Sequence, residues 1–346
     1  MSARKGKGMI TAPVIHTSGA AFVNQAGQQV ILRGLNLAAS AKLPSALDKL
    51  GPFNLVRLRI SWPRLEPSAG GFDSAYVAMV DGEIRQLAAR HVSVIIDWHY
   101  TGRGVQPPAW AGFSNSTWWT SQAKQDLYAA MLRQMVAHWS AYPNVIGYEP
   151  WNEPHPDTAA YATLHAATQA ELRWMARMAT AIRSVDPQRA IIVMARGGWD
   201  YGLRHADLGV FGKARHLVLS FHDPYCGCAP LDGFSRSGED ASRRGATNDH
   251  IWPYAGTYAS QKAHLAFVLR WRTVLNRPII VSEWEARADD PNATTYGTQL
   301  LLLMRRLGLS WAHWYGAGKW SLDGAGAHRL SPQGEQLRTA FVRGAR

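Results

Sequence analysis

The feature that most constrains this sequence is an alternation repeated along nearly its whole length. Short β-branched runs are separated by stretches whose apolar residues recur at helical spacing. Eight strand candidates stand out: Val30–Arg33, Leu55–Ile60, Val92–Asp97, Val145–Glu149, Ile191–Met194, Leu217–Phe221, Ile279–Ser282 and Leu309–Trp314. Between them, Tyr76, Met79, Val80, Ile84, Leu87 and Ala88 keep one apolar face, as do Leu127, Met131, Leu132, Met135, Val136 and Trp139. The pattern repeats through Leu172, Met175, Ala176, Ala179 and Ile182, and through Tyr296, Leu300, Leu303, Met304 and Leu307. Strands alternating with helices make a parallel sheet, and eight such units predict an α/β fold of the (β/α)8 TIM-barrel type. An open doubly wound sheet is the alternative. It wants a glycine-rich phosphate turn after the first strand, where Arg33-Gly34-Leu35-Asn36 stands instead. Val14–His16 and Ala21–Val23, followed by the turn Asn24-Gln25-Ala26-Gly27, predict a short N-terminal β-hairpin closing the barrel floor.

Composition narrows the class further. Hydrophobic residues make up 47% and charged residues 18%, with 15 Trp, which excludes a disordered or coiled-coil chain. The 346 residues suit one barrel of ~250 residues with insertions. Residues 1–12 read as a flexible N-terminal segment and 13–346 as a single domain. Apolar runs such as Leu300–Met304 fall far short of the ~20 residues that cross a bilayer. The formal charge of +12 asks for an acidic partner, but its arginines are scattered. Arg4, Lys5 and Lys7, Arg243-Arg244 and Arg305-Arg306 form no stripe that could track a phosphate backbone, so no nucleic-acid partner is expected. Cys226 and Cys228 flank Gly227, too close for an easy bridge and too few for zinc, and read as free thiols. The start, Met1–Gly8, is basic but lacks the apolar core of an export signal. As written the chain is expected to be intracellular, and secreted if it is a processed or engineered form.

In such a barrel the chemistry sits at the carboxyl ends of the strands. Those ends here read Arg57 and Arg59 on the second strand, Asp97-Trp98-His99-Tyr100 on the third, and Glu149-Pro150-Trp151-Asn152-Glu153-Pro154 on the fourth. The sixth ends in Phe221-His222-Asp223-Pro224-Tyr225, the seventh in Ser282-Glu283-Trp284-Glu285, and the eighth holds Trp311, His313, Trp314 and Tyr315. Carboxylates past the fourth and seventh strands face one another across the mouth, the placement a two-carboxylate glycosidase needs.

On these residues the chain resembles glycoside hydrolase family 5, the cellulase-like family of retaining barrels. The resemblance runs through Leu32-Arg33-Gly34-Leu35-Asn36, Val56-Arg57-Leu58-Arg59-Ile60-Ser61-Trp62, Ile95-Ile96-Asp97-Trp98-His99, Gly147-Tyr148-Glu149-Pro150-Trp151-Asn152-Glu153-Pro154 and Ile279-Ile280-Val281-Ser282-Glu283. It implies that Glu153 is the acid/base and Glu283 the nucleophile of a double displacement, with no metal and no cofactor. Asn152 would hold the sugar 2-hydroxyl, Arg59 and Tyr225 would contact Glu283 and keep it ionised, His99 and His222 would shape the subsite, and Trp314 would lie under the sugar ring. Opposite pKa shifts are expected, Glu153 up among low-polarity neighbours and Glu283 down beside Arg59, with a carboxyl separation near ~5 to 5.5 Å.

Some features depart from the family pattern. The glycine usual two residues after the nucleophile is Glu285, expected to raise the nucleophile's pKa, to bind sugar hydroxyls or to pair with Arg287. The usual His-x-Tyr is stretched to His222-Asp223-Pro224-Tyr225. Asp97 and Glu149 are read as supporting residues, and Arg57 or Arg59 as a possible interior ion pair. Trp139, Trp174 and Trp271 sit in helical runs and read as packing, whereas Trp110, Trp118, Trp119 and Trp252 lie in connections where rings could form sugar platforms.

The partner these residues imply is a β-linked carbohydrate or glycoconjugate, acted on by a monomer. Phe53-Asn54-Leu55-Val56-Arg57, Ser61-Trp62, Glu66-Pro67 and Gly71-Phe72-Asp73 also resemble the endoglycoceramidase branch, which releases sugars from lipid. Outside hydrolysis, a non-catalytic carbohydrate-binding barrel is the competing class, against which both carboxylates speak. A metal-dependent amidohydrolase would want His-x-His where Leu35-Asn36-Leu37 stands.

Overall fold

The computed structural model of the protein describes residues 14–40, 43, 47–100, 107–114, 116–157, 160–195, 207–212, 214–224, 257–285, 291–314, 330 and 332–344. Three short strands come first: β1 (His16–Ser18), β2 (Ala21–Val23) and β3 (Gln29–Val30), paired antiparallel in that order. The hairpin expected from sequence therefore gains a third strand, and Asn24 shapes the second turn by accepting from the backbone N–H groups of Ala26 and Gln28.

The barrel follows, built from β4 (Arg33–Ala38), β5 (Leu55–Ile60), β6 (Ser93–Trp98), β7 (Val145–Glu149), β8 (Ala190–Met194), β9 (Leu217–Pro224), β10 (Ile279–Glu285) and β11 (Ser310–Trp314). They pair in parallel and close, β11 returning to β4. The strand predicted over Val30–Arg33 straddles two elements: Val30 belongs to the floor sheet, and the barrel strand starts at Arg33. Gly34 permits this, because a Cβ there would lie 2.0 Å from the Leu55 carbonyl oxygen. Gly147 plays the same part in β7, where a Cβ would come within 2.9 Å of the Ala190 oxygen.

Helices Ser74–Ala89, Gln122–Trp139, Leu164–Arg183, Tyr258–Leu275, Ala293–Leu307 and Pro332–Gly344 stand around the barrel. Ser74–Ala89 starts on Asp73, whose carboxylate accepts from the N–H groups of Ala75 and Tyr76. Covered on both sides, strands such as β6 are buried at every residue. The inner cluster is Ile15, Phe22, Leu32, Leu55, Ile95, Ile146, Ile192, Val218 and Ile280, which ties the floor sheet to the barrel interior. Leucine, methionine and tryptophan fill the layer between strands and helices. Trp139 and Trp174 lie there as expected.

The arginines that gave the chain its charge gather partly at the floor, where helices end and strands begin. Arg183 donates to the carbonyls of Asp186, Arg189 and Arg215, and Arg189 to those of Ser140, Tyr142 and Val145. Arg272 donates to the Leu307 carbonyl and Arg277 to that of Ala214. Carbonyls orphaned at helix C-termini carry partial negative charge, so guanidinium groups suit this end.

Candidate active site

The mouth is organised around a residue that the sequence left in the background. Arg57, on β5, points into the barrel and is fully buried. Its Nε donates to Glu149 Oε2 at 2.7 Å, Nη1 to Asn36 Oδ1 at 2.8 Å and Glu283 Oε2 at 3.2 Å, and Nη2 to Asn152 Oδ1 at 2.7 Å. Asp97 Oδ2 lies 3.1 Å from Nη2. Four hydrogen bonds and this ion-pair contact thus engage a guanidinium that has five N–H donors. Burial disfavours the charge, but Asp97, Glu149 and Glu283 outweigh it and hold the Arg57 pKa above its ordinary value.

A direct contact to Glu283 comes from Arg57, two residues deeper on the same strand face than Arg59. Arg59 acts on Glu283 through charge, and its guanidinium lies over the Trp314 ring, 3.9 Å from the centroid.

Glu283 lies where β10 changes register against both neighbours, between Val281 and Glu283 on one side and between Val281 and Trp284 on the other. Such irregularities re-aim a side chain. Here the carboxylate stays 16% exposed at the mouth while bonded to Arg57 below. Its pKa departs from the sequence expectation. Burial pushes it up to about 7, helped by the charges of Glu153 and Glu285 and opposed by His222 and Arg57. The desolvation of a carboxylate inside the barrel exceeds what one arginine with several acidic partners returns.

Glu153 follows β7 with φ of 41°, a left-handed conformation costly for a residue with a Cβ. Its surroundings impose it: Tyr128 Oη donates to the Pro150 carbonyl at 2.6 Å, and the Asn152 N–H to the Trp98 carbonyl at 3.3 Å. Asn152 Nδ2 donates to the Tyr100 carbonyl at 2.7 Å, so its amide is oriented at both ends before any sugar arrives.

His222 joins the two carboxylates. Its Nδ1 shares a hydrogen bond of 2.8 Å with Glu153 Oε1, and its Nε2 lies 3.7 Å from Glu283 Oε2. Burial, with Arg57 nearby, lowers its pKa and keeps the ring neutral. His99 is held alike: its Nδ1 lies 2.7 Å from Asp97 Oδ2, burial lowers its pKa, and its ring stands 5.5 Å from that of Trp314. Asp97 is pushed up to about 6 by burial against the pull of Arg57 and Arg59. Donor atoms of Glu153, His222 and Glu283 all lie within 4.8 Å of one another, a set that could also hold a borderline divalent cation.

Comparison with known proteins gives the family. The family model described as "Cellulase (glycosyl hydrolase family 5)" matches residues 23–319. The chain belongs to glycosyl hydrolase family 5. Endoglycoceramidase I of Rhodococcus hoagii (strain 103S) is 28% identical over 182 residues, 41% of this chain and 37% of that protein. This family 5 chain therefore matches well under half of that relative's length. In fold it is similar to endo-glycoceramidase II from Rhodococcus sp. in an iminocyclitol complex, with a TM-score of 0.69, 20% identity, and 92% of this chain and 80% of that chain covered. It is also similar to the cellulose synthase subunit Z of Clostridioides difficile, with a TM-score of 0.66, 15% identity, and 90% of this chain and all of that chain covered.

The structure brings Glu153, Glu283, Asn152, His99, His222, Arg59, Trp314 and Glu285 to one mouth; Tyr225, Arg287, Trp252, Cys226 and Cys228 lie outside the described residues. Trp118 and Trp119 are 0% and 2% exposed in an aromatic cluster with Trp151 and Tyr128, so neither is a sugar platform. Trp110 is partly buried and donates to the Glu66 carbonyl. Glu66 itself accepts from Trp62 Nε1 and the Gly70 N–H, which makes Glu66-Pro67 a loop staple.

Proposed function

We propose that this protein is a retaining β-glycoside hydrolase in which Glu153 is the acid/base and Glu283 the nucleophile. The observation that carries the reading is the approach of the two carboxyl groups, whose donor atoms lie within 4.8 Å with His222 between them. Retaining enzymes keep these groups about 5 to 5.5 Å apart, and inverting ones about 6.5 to 9.5 Å, to admit a water.

The charge of Glu153 helps to raise the Glu283 pKa, so the two carboxyl groups disfavour ionising together. Arg57 on Glu283 favours the arrangement with Glu283 ionised and the proton on Glu153. Glu153 then gives that proton to the glycosidic oxygen as Glu283 attacks the anomeric carbon and the bond to the leaving group breaks. Water, deprotonated by Glu153, attacks the glycosyl-enzyme ester, returns Glu283 to its carboxylate and gives a product of unchanged anomeric configuration.

The substrate is a β-linked glucoside, oligosaccharide or glucan. A lipid aglycone is the second reading, supported by the endoglycoceramidase names of the relatives in sequence and fold. Wild type and Glu283→Ala are to be incubated with aryl β-glucoside, β-cellobioside, β-galactoside and β-mannoside and with a glycosylceramide. Release by wild type, lost in the variant, with the first-formed anomer retained by NMR, is the expected result. An inverted first product sinks the assignment of Glu283, and release from the glycosylceramide alone selects the lipid reading.

A further inference from the structure

Arg57 and Glu283 are bonded at 3.2 Å, and each has a like-charged counterpart two residues nearer the mouth. On β5 that counterpart is Arg59, and on β10 it is Glu285. Residues i and i+2 of a strand share a face and lie about 6.6 Å apart along it, roughly the span of one sugar ring. A second tier of opposite charges therefore stands above the catalytic tier. The two tiers feel one another: the charges of Glu283, Asp97 and Glu285 act on Arg59, and that of Glu285 acts on Glu283.

The upper tier has a defined shape. Glu285 is 9% exposed, and Arg59 is partly buried with its guanidinium carbon 3.9 Å from the centroid of the Trp314 ring. This cation–π contact holds the guanidinium against the indole. It also covers one face of Trp314, and His99 stands beside the same ring. A sugar entering here meets the edge of Arg59 as well as indole. The acid/base marks the leaving-group side of the cleft, and Glu153 follows β7, across the closed barrel from β11, which β10 and β4 flank. The Arg59, Trp314 and Glu285 wall thus faces the sugar that is transferred to Glu283.

We propose that Arg59 and Glu285 are the specificity-determining pair for that sugar, binding a vicinal diol of an uncharged glycone. The guanidinium donates to one hydroxyl oxygen, and the carboxylate accepts from the neighbouring hydroxyl. The opposite charges of Arg59 and Glu285 cancel in the upper tier, so the place suits an uncharged sugar better than one carrying a carboxylate or sulfate. The inference rests on the hydrolase reading above and adds to it the chemistry by which the glycone is chosen.

The test compares wild type, Arg59→Lys and Glu285→Gln on an aryl β-glucoside and on its 3-, 4- and 6-deoxy analogues. Hydrogen bonds to charged groups predict a loss of about 10- to 100-fold in kcat/KM for each variant on the parent glucoside, carried mainly by KM. On the analogue lacking the hydroxyl that a residue holds, the loss in that residue's variant should vanish, and the two variants should be silenced by adjacent deoxy positions. Equal losses on every analogue, or no loss at all, would overturn the pair while leaving the hydrolase intact. Absence of turnover by wild type on every glycoside would remove the hydrolase reading, and the pair with it. Circular dichroism and thermal melts of both variants separate lost contacts from lost fold.

Discussion

Arginine does two different jobs at the two ends of this barrel. At the floor, Arg183, Arg189, Arg272 and Arg277 donate chiefly to backbone carbonyls, and the Arg189 side chain remains 21% exposed. At the mouth, Arg57 is wholly buried and donates to side chains, three of them acidic. Water can replace a floor guanidinium, so its removal leaves carbonyls that can be solvated. Water does not replace Arg57 as readily, because removing it strands several buried carboxylates without their bonded counter-charge. The floor spends arginine on holding loops together, and the mouth on keeping reactive acids together in a dry place.

The comparison breaks most readily at Arg57. Lysine there brings a single charge and three donors to a place that uses five, so Arg57→Lys should lose about 3 to 5 kcal/mol of stability. Activity should fall by at least about 100-fold, because Glu283 loses its aligned donor. Denaturant unfolding and steady-state kinetics check both, and a variant that kept its stability would show that the buried acids simply take up protons.

A smaller effect is expected at the other end. Arg189→Ala should cost about 1 to 3 kcal/mol in the same unfolding measurement and leave kcat/KM per folded molecule unchanged. A drop in activity beyond twofold would mean that floor and mouth are coupled through the strands.

The finest distinction concerns protons. With Glu283 pushed up to about 7, kcat/KM of the free enzyme should rise with pH through about 7, because lower pH protonates the nucleophile. Glu285→Gln removes a negative charge that raises Glu283, so the acid limb of the profile should move to lower pH. An acid limb near the ordinary glutamate range in wild type would show that sugar-free Glu283 is better solvated than its burial implies.

The barrel was legible because each strand and helix writes its period locally: Leu55–Ile60 and Val145–Glu149 were readable to the residue. The first barrel strand was misplaced because its start depends on Gly34 fitting against Leu55, a contact between residues 21 apart. The meeting of Glu153 and Glu283 at one mouth was legible from Asn152-Glu153 and Glu283 at strand ends. The direct contact of Arg57 with Glu283 was missed because Arg57 and Arg59 occupy the same strand face, and only depth along the barrel axis separates them. The direction of the Glu283 shift was misjudged for a related reason. A sequence names the neighbouring charge but not how much water the pair has lost. Trp118 and Trp119 looked like loop rings, and their burial comes from Trp151, Tyr128 and Trp174, which reach them from other parts of the chain.

The left-handed backbone at Glu153 has an evolutionary side. Glu153, the proton donor proposed above, occupies a position at which glycine would rest more comfortably, so the fold and that role pull on this residue in opposite directions. A lineage under pressure for durability alone has a single-step exit from catalysis here that leaves Arg57, Trp314 and the rest of the cleft in place. A chain so changed is expected to keep its carbohydrate cleft and to bind the sugar without cleaving it.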